Sequence, residues 1–207
     1  MSRKKGILIV VSGFSGAGKG TLMKRLLEEY DNYALSISAT TRNPRPGEEH
    51  GREYFFSSVE EFEQMIQEDA LIEYAKYVSN YYGTPKAYVE EQLEAGKDVV
   101  LEIEIQGALK VKEKYPDALL MFVTPPTAEE LRRRLIGRGT ETMEVINDRM
   151  KRAIEESQGM EKYDYIVVND DLEVCLKEMH HIIQSEHNRA SRNVAFVSQI
   201  RKELEEL

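Results

Sequence analysis

The sequence predicts an α/β fold: a parallel-sheet core carrying a glycine-rich phosphate loop (P-loop), with a small α+β insertion and a helical lid. Three observations point there. Short apolar, β-branched runs alternate with helical periodicity, a glycine loop joins the first such run to the first helix, and two segments break the rhythm. The chain has 207 residues, which suits one domain with insertions or two small ones at the typical ~100 to 200 residues each.

Ile7-Leu8-Ile9-Val10-Val11, bounded by Gly6 and Ser12, reads as a strand buried on both faces, which favours parallel pairing. Beyond the loop, Leu22, Leu26 and Leu27 recur at helical spacing, with Lys24, Arg25, Glu28 and Glu29 opposite. Further strands are expected at Asp98 to Ile105, Ala118 to Val123 and Tyr163 to Val168, separated by helical patterns that make right-handed crossovers. Residues 36–88 depart from the alternation. They hold the turn Asn43-Pro44-Arg45-Pro46-Gly47, many tyrosines, and a helix whose start at Ser58 and Glu61 has capping-box spacing. Residues 127–157 are helical and rich in arginine, broken at Gly137-Arg138-Gly139, with Thr127 and Glu130 at capping-box spacing after Pro125-Pro126. From Asp171 the pattern is one long helix. The division expected is a core of residues 1–35 and 89–207, an insertion of 36–88, and a lid of 127–157 within the core.

Composition narrows the function classes. A net charge of −9 argues against broad nucleic-acid binding, which relies on a basic surface. The apolar runs fall short of the ~20 residues of a membrane span. The basic start Met1-Ser2-Arg3-Lys4-Lys5 leads into a glycine loop and not into a cleavage site, so no export signal is read and a cytoplasmic location is expected. The single cysteine, Cys175, forms no intramolecular disulfide and shares an apolar stripe with Leu172, Leu176 and Met179, so it is expected in the core. His50, His180, His181 and His187 lack metal-ligand spacing, and no structural metal is expected.

Gly13-Phe14-Ser15-Gly16-Ala17-Gly18-Lys19-Gly20-Thr21 lies between strand and helix, the context a Walker A loop requires. Its glycines let several N–H groups face one anion, the helix N-terminus adds positive partial charge, and Lys19 reaches the outer phosphates. The hydroxyl that usually follows the lysine comes one residue later, at Thr21, after Gly20. No Asn-Lys-x-Asp guanine motif of switch GTPases occurs. A second anion site is expected at Thr40-Thr41-Arg42-Asn43-Pro44-Arg45, with Tyr54 further on. Two guanidinium forks and a phenol suit a terminal phosphate.

Together with Glu73-Tyr74, Asn80-Tyr81-Tyr82-Gly83-Thr84, Leu101 to Gly107, Gly137 to Glu141 and Val168-Asn169-Asp170-Asp171, these motifs give a pattern that resembles guanylate kinase over roughly Gly6 to Ser185. The resemblance implies ATP-dependent phosphorylation of GMP or dGMP with Mg²⁺, on a core with a GMP-binding insertion and a mobile lid. It implies that Arg42, Arg45, Tyr54 and Tyr82 clamp the GMP phosphate and that Ser38, Glu73 and Thr84 read the base. Guanine offers N1–H and 2-amino donors, and a carboxylate with hydroxyls complements them.

The resemblance further implies that Glu104 approaches the 2-amino group, that Thr21 and Glu102 serve Mg²⁺, and that Asn169 contacts adenine, with helix capping as its alternative role. Lys19, Arg42, Arg134, Arg138 and Arg149 would carry the catalysis. Glu102 and Glu104 are expected on one strand face. Two departures stand out: Glu104, where the family often has Asp, and Phe14, where it usually has Pro. A guanylate-kinase-like protein-binding module is the alternative reading, which the complete loop with Lys19 disfavours. The partners expected are small nucleotides, with no nucleic acid or membrane. The oligomeric state is left open, with Val194, Val197 and Ile200 as a candidate subunit contact or docking face.

Overall fold

The computed structural model describes residues 5–77, 79–137, 139 and 142–207. The chain opens with β1 (Leu8–Gly13), α1 (Lys19–Glu29) and β2 (Tyr33–Leu35). It continues through β3 (Ala39–Thr40), β4 (Phe55–Phe56), α2 (Val59–Gln67), β5 (Leu71–Tyr77) and β6 (Asn80–Pro85). Next come α3 (Lys86–Glu94), β7 (Asp98–Glu102), α4 (Ile105–Lys114), β8 (Leu119–Thr124), α5 (Ala128–Gly137) and α6 (Met143–Ser157). It closes with β9 (Tyr165–Val168), α7 (Leu172–Glu186) and α8 (Val194–Glu205).

Five of these strands form a parallel sheet in the order β2-β7-β1-β8-β9. Its centre is β1, paired with β7 from Leu8↔Val99 to Val11↔Glu102 and with β8 from Ile9↔Leu119 to Gly13↔Val123. Ile9, Val10 and Val11 are wholly buried, as expected of a strand covered on both faces. The glycine loop leaves the sheet at the point where the strand order reverses, the usual place for a ligand in such folds.

A second sheet, in the order β4-β3-β6-β5, is mixed: β3 runs parallel to β4, and both β3 and β5 run antiparallel to β6. Phe62 of α2, Ala39 and Leu71 form a small buried cluster against it, distinct from the main core. The α2 N-terminus has the full capping box. Ser58 Oγ accepts from the Glu61 N–H at 3.1 Å, and the Glu61 carboxylate accepts from the Ser58 N–H at 2.7 Å. In α5, Thr127 Oγ1 accepts from the Glu130 N–H at 3.0 Å, while the Glu130 carboxylate turns to arginines instead.

Two expectations are corrected. The strand expected at Asp98 to Ile105 ends at Glu102. The Ile103 N–H donates to the Val11 carbonyl at 3.3 Å, Ser12 Oγ donates to the Ile103 carbonyl at 2.7 Å, and the chain then turns into α4 with Glu104 as its N-cap. Glu102 and Glu104 therefore do not share a strand face. The C-terminal pattern is two helices, because Asn193 Nδ2 donates to the His187 and Arg189 carbonyls at 2.8 Å and fixes a turn between them. No residue of α8 is buried, and Val194 and Ile200 are exposed on it. Cys175 is buried. Among the described residues no helix is long and apolar enough to cross a membrane.

Asp98, 1% exposed, staples the chain start to the sheet. Its Oδ1 accepts from the Ile7 N–H at 2.8 Å and lies 2.9 Å from His187 Nε2, and its Oδ2 accepts from Asn32 Nδ2 at 3.3 Å. Asp98→Ala leaves these groups without their acceptor and is expected to cost about 1–3 kcal/mol. Urea unfolding of variant and parent measures this, and an unchanged midpoint would refute the staple.

Candidate active site

The loop and α1 form one end of the site. Gly18 caps α1 with φ 91°, and Gly16 also adopts a left-handed φ of 96°, conformations that favour glycine. Lys19 Nζ folds back to donate to the Gly13 carbonyl at 2.7 Å and the Phe14 carbonyl at 3.3 Å. A Cβ on Gly16 would lie 2.9 Å from Leu135 Cδ2, so α5 packs directly on the loop. Phe14 is buried and meets Phe122 edge-on at 5.0 Å, and Phe122 meets Tyr163 at 5.2 Å. The bulk introduced at this position thus anchors the loop to the core. Ser15 Oγ accepts from Arg149 Nη1 of α6. Gly20 and Thr21 are exposed in the first turn of α1, with open space where a side chain on Gly20 would go.

Asn169 does not cap the helix that follows it. Its side chain is buried and donates from Nδ2 to the Ala17 carbonyl at 2.8 Å, beneath the loop. The capping of α7 falls to Asp171, whose Oδ1 accepts from the Glu173 and Val174 N–H groups at 3.0 and 2.9 Å.

The second part of the site comes from the mixed sheet. The Arg42 guanidinium lies 5.3 Å from the Tyr54 ring centre and 5.8 Å from that of Phe56, and pairs with Glu48 at 2.9 Å. Tyr54 and Tyr82 meet edge-on at 6.1 Å. Arg42, Tyr54 and Tyr82 are thereby brought together, held by the pairing of β3 with β4 and β6. Arg45 is exposed on the turn, its N–H donating to Glu48 Oε2 at 2.8 Å. Glu48 is the residue the sequence reading left without a role. Arg42 chiefly, and then the Arg45 N–H, hold its carboxyl below the ordinary range.

On the neighbouring strands, Thr84 Oγ1 donates to Glu73 Oε1 at 2.8 Å. Thr84 is fully buried, and desolvation raises the Glu73 carboxyl above its ordinary range, against the pull of Thr84 and the charge of Lys110. Ser38 is half-buried beside β3, with its carbonyl accepting from the Phe55 N–H at 2.8 Å.

Acidic and lid residues complete the picture. Glu102, at the end of β7 beside β1, is raised by desolvation and drawn down by the charge of Lys19. Glu104 pairs with Arg152 of α6 at 2.7 Å. Arg152 also donates to Glu156 at 3.2 Å. Arg133 and Arg134 both bond Glu130 and hold its carboxyl down at about 2. Arg138 lies outside the described residues.

A glycine loop on a parallel sheet, facing a separate sheet that carries an arginine–tyrosine cluster and a desolvated carboxylate, defines the P-loop kinase class of architecture. The sequence profile of the guanylate kinase family matches residues 5–186, and the chain belongs to that family. It is similar to the guanylate kinase of Lactococcus lactis subsp. lactis (strain IL1403), with 53% identity over 92% of this chain and 93% of that one. It shares 53% identity with that of Caldanaerobacter subterraneus subsp. tengcongensis, over 97% and 98% of the two chains. Among solved structures, the guanylate kinase from Anaplasma phagocytophilum superimposes with a TM-score of 0.71 at 33% identity, covering 93% of this chain and 92% of that one.

Because burial raises the Glu73 carboxyl, the folded chain binds its proton more readily than the unfolded chain does. The resulting destabilisation is absent below about pH 4, where both states are protonated, and grows as pH rises through the native value. Glu73→Gln removes the charge and keeps an acceptor for Thr84. Its thermal midpoint without nucleotide is expected above the parent's at pH 7, with the gain gone near pH 4. A midpoint at or below the parent's at pH 7 would contradict the desolvation.

Proposed function

We propose that this protein transfers the γ-phosphoryl group of ATP to GMP, and to dGMP, giving ADP and GDP or dGDP. The observation that carries the base assignment is the Glu73–Thr84 pair, a desolvated carboxylate beside a buried hydroxyl on a sheet separate from the phosphate loop. Guanine presents adjacent donors to such a carboxylate, whereas adenine would leave it desolvated without a comparable partner. Membership of the guanylate kinase family supports the same reading.

In this reading residues 36–88 form the GMP-binding insertion and 127–157 the lid, both borne on the core of residues 1–35 and 89–207. Arg42, Arg45, Tyr54 and Tyr82 hold the GMP phosphate, and Ser38 and Glu104 assist at the base. Residues 13 to 21 wrap the ATP phosphates, with Lys19 at their outer end. Lys19, Arg42, Arg134, Arg138 and Arg149 neutralise charge that spreads over the moving group, which is where phosphoryl-transfer catalysis is concentrated. The acceptor is already a phosphate oxygen, so positioning and electrostatics suffice without a strong base. Closure of insertion and lid excludes water that would otherwise take the phosphoryl group.

Thr21 and Glu102 offer hard oxygen donors at the loop, a set that fits Mg²⁺, and they would hold it directly or through its waters. When bound, Mg²⁺ supplies positive charge to the phosphate oxygens.

The test is coupled detection of ADP from ATP and Mg²⁺ with GMP, AMP, CMP, UMP or no acceptor. GMP-dependent turnover is expected, abolished in Lys19→Met. Glu73→Gln is expected to lower kcat/KM for GMP on the order of 10²-fold with ATP affinity unchanged. Turnover favouring another nucleotide would sink the base assignment, and ATP binding without transfer would favour the binding-module reading.

A further inference from the structure

We infer that Asn169 is a positioning residue of the phosphate loop, acting on bound phosphates through the Ala17–Gly18 peptide. The assignment rests on the proposed nucleotide-binding role of that loop. Asn169 follows β9 directly, its N–H donating to the Thr124 carbonyl at 2.8 Å at the end of the adjacent β8. Two paired strands therefore fix its backbone. Its side chain is 5% exposed and reaches under the loop, Nδ2 lying 2.8 Å from the Ala17 carbonyl oxygen. It lies so close that a Cβ on Gly18 would come within 2.5 Å of Nδ2.

The consequence follows from peptide geometry. In a planar trans peptide the C=O and the next N–H point in opposite directions. Holding the Ala17 carbonyl down on Asn169 turns the Gly18 N–H away from the buried side. That N–H belongs to the residue capping α1, where anion-binding amides are concentrated. The left-handed φ of 91° at Gly18 accompanies this turn, and only glycine fits between the carbonyl and the amide. Asn169 supplies the donor that satisfies the carbonyl, which would otherwise be a buried acceptor without a partner.

In this assignment the position serves the triphosphate, and a ligand without a base separates that role from a contact to adenine. Asn169→Leu keeps the volume and removes the donor, and Asn169→Ala removes both. Calorimetric titration with ATP and with tripolyphosphate, each with Mg²⁺, is run alongside steady-state kinetics, with melting curves to establish folding. Both variants are expected to lose roughly tenfold in affinity for ATP and for tripolyphosphate alike, the scale of one lost hydrogen bond that leaves its acceptor buried. KM for ATP is expected to rise by a similar factor while KM for GMP stays within about twofold, a split that general loosening of the fold would not produce.

Tripolyphosphate affinity retained while ATP affinity falls would overturn the assignment in favour of an adenine contact. Unchanged affinity for both ligands in either folded variant would overturn it outright. Failure of the parent protein to bind either ligand would instead remove the nucleotide reading, and this assignment with it.

Discussion

An anion-binding loop must leave its amides unsatisfied on one side and satisfy every carbonyl on the other, and the rest of this molecule is organised around that constraint. The turn needs left-handed backbone at Gly16 and Gly18, and bare glycine lets neighbours approach closely. Each neighbour comes from a different part of the chain. Leu131 and Leu135 of α5 lie against Gly16, Phe14 reaches down to Phe122 of β8, Asn169 takes the Ala17 carbonyl, and Arg149 of α6 bonds Ser15. The loop is thus a rigid seat built by the sheet and the helices together.

The arginines follow a second rule. Arg42 has Glu48, Arg134 has Glu130, and Arg152 has Glu104 and Glu156. Partly exposed pairs of this kind are worth only about 0–1 kcal/mol. They orient a guanidinium at little energetic cost, so a multiply charged partner such as a phosphate, which bonds a guanidinium more strongly, could displace the carboxylate. Glu104 shows how far the pairing reaches, because its partner belongs to α6. A carboxylate expected only at the base thus also ties the start of α4 to α6.

Features written locally were legible in the sequence. The buried run of β1, the loop, the apolar stripe of α1 and the Ser58–Glu61 box each depend on residues a few positions apart. The clustering of Arg42, Tyr54 and Tyr82 followed the family pattern. What was not legible depends on distant partners. The end of β7 is set by Val11 and Ser12, which bond Ile103 just past the strand from 91 or more positions away. Asn169 finds its side-chain partner in Ala17, 152 residues earlier. Phe14 looked like a departure in a loop and is a core residue, because Phe122 and Tyr163 offer it an aromatic wall.

Strand β5 lies between the two hydrophobic clusters of the molecule. Leu71 belongs to the small cluster under the mixed sheet, while the next residue, Ile72, belongs to the main core. Alternate side chains point to opposite faces, so one strand serves as a wall common to both. It is also an edge of its sheet, with β4 at the far edge three strand spacings away, about 14 Å. If the sheet swings about β5, Glu73 sits near the axle and Tyr54 near the rim, and a 10° turn would carry the rim roughly 2.5 Å over that ~14 Å arm. In such a turn the mixed sheet would work as a lever, with Glu73 at the fulcrum and Tyr54 at the moving end.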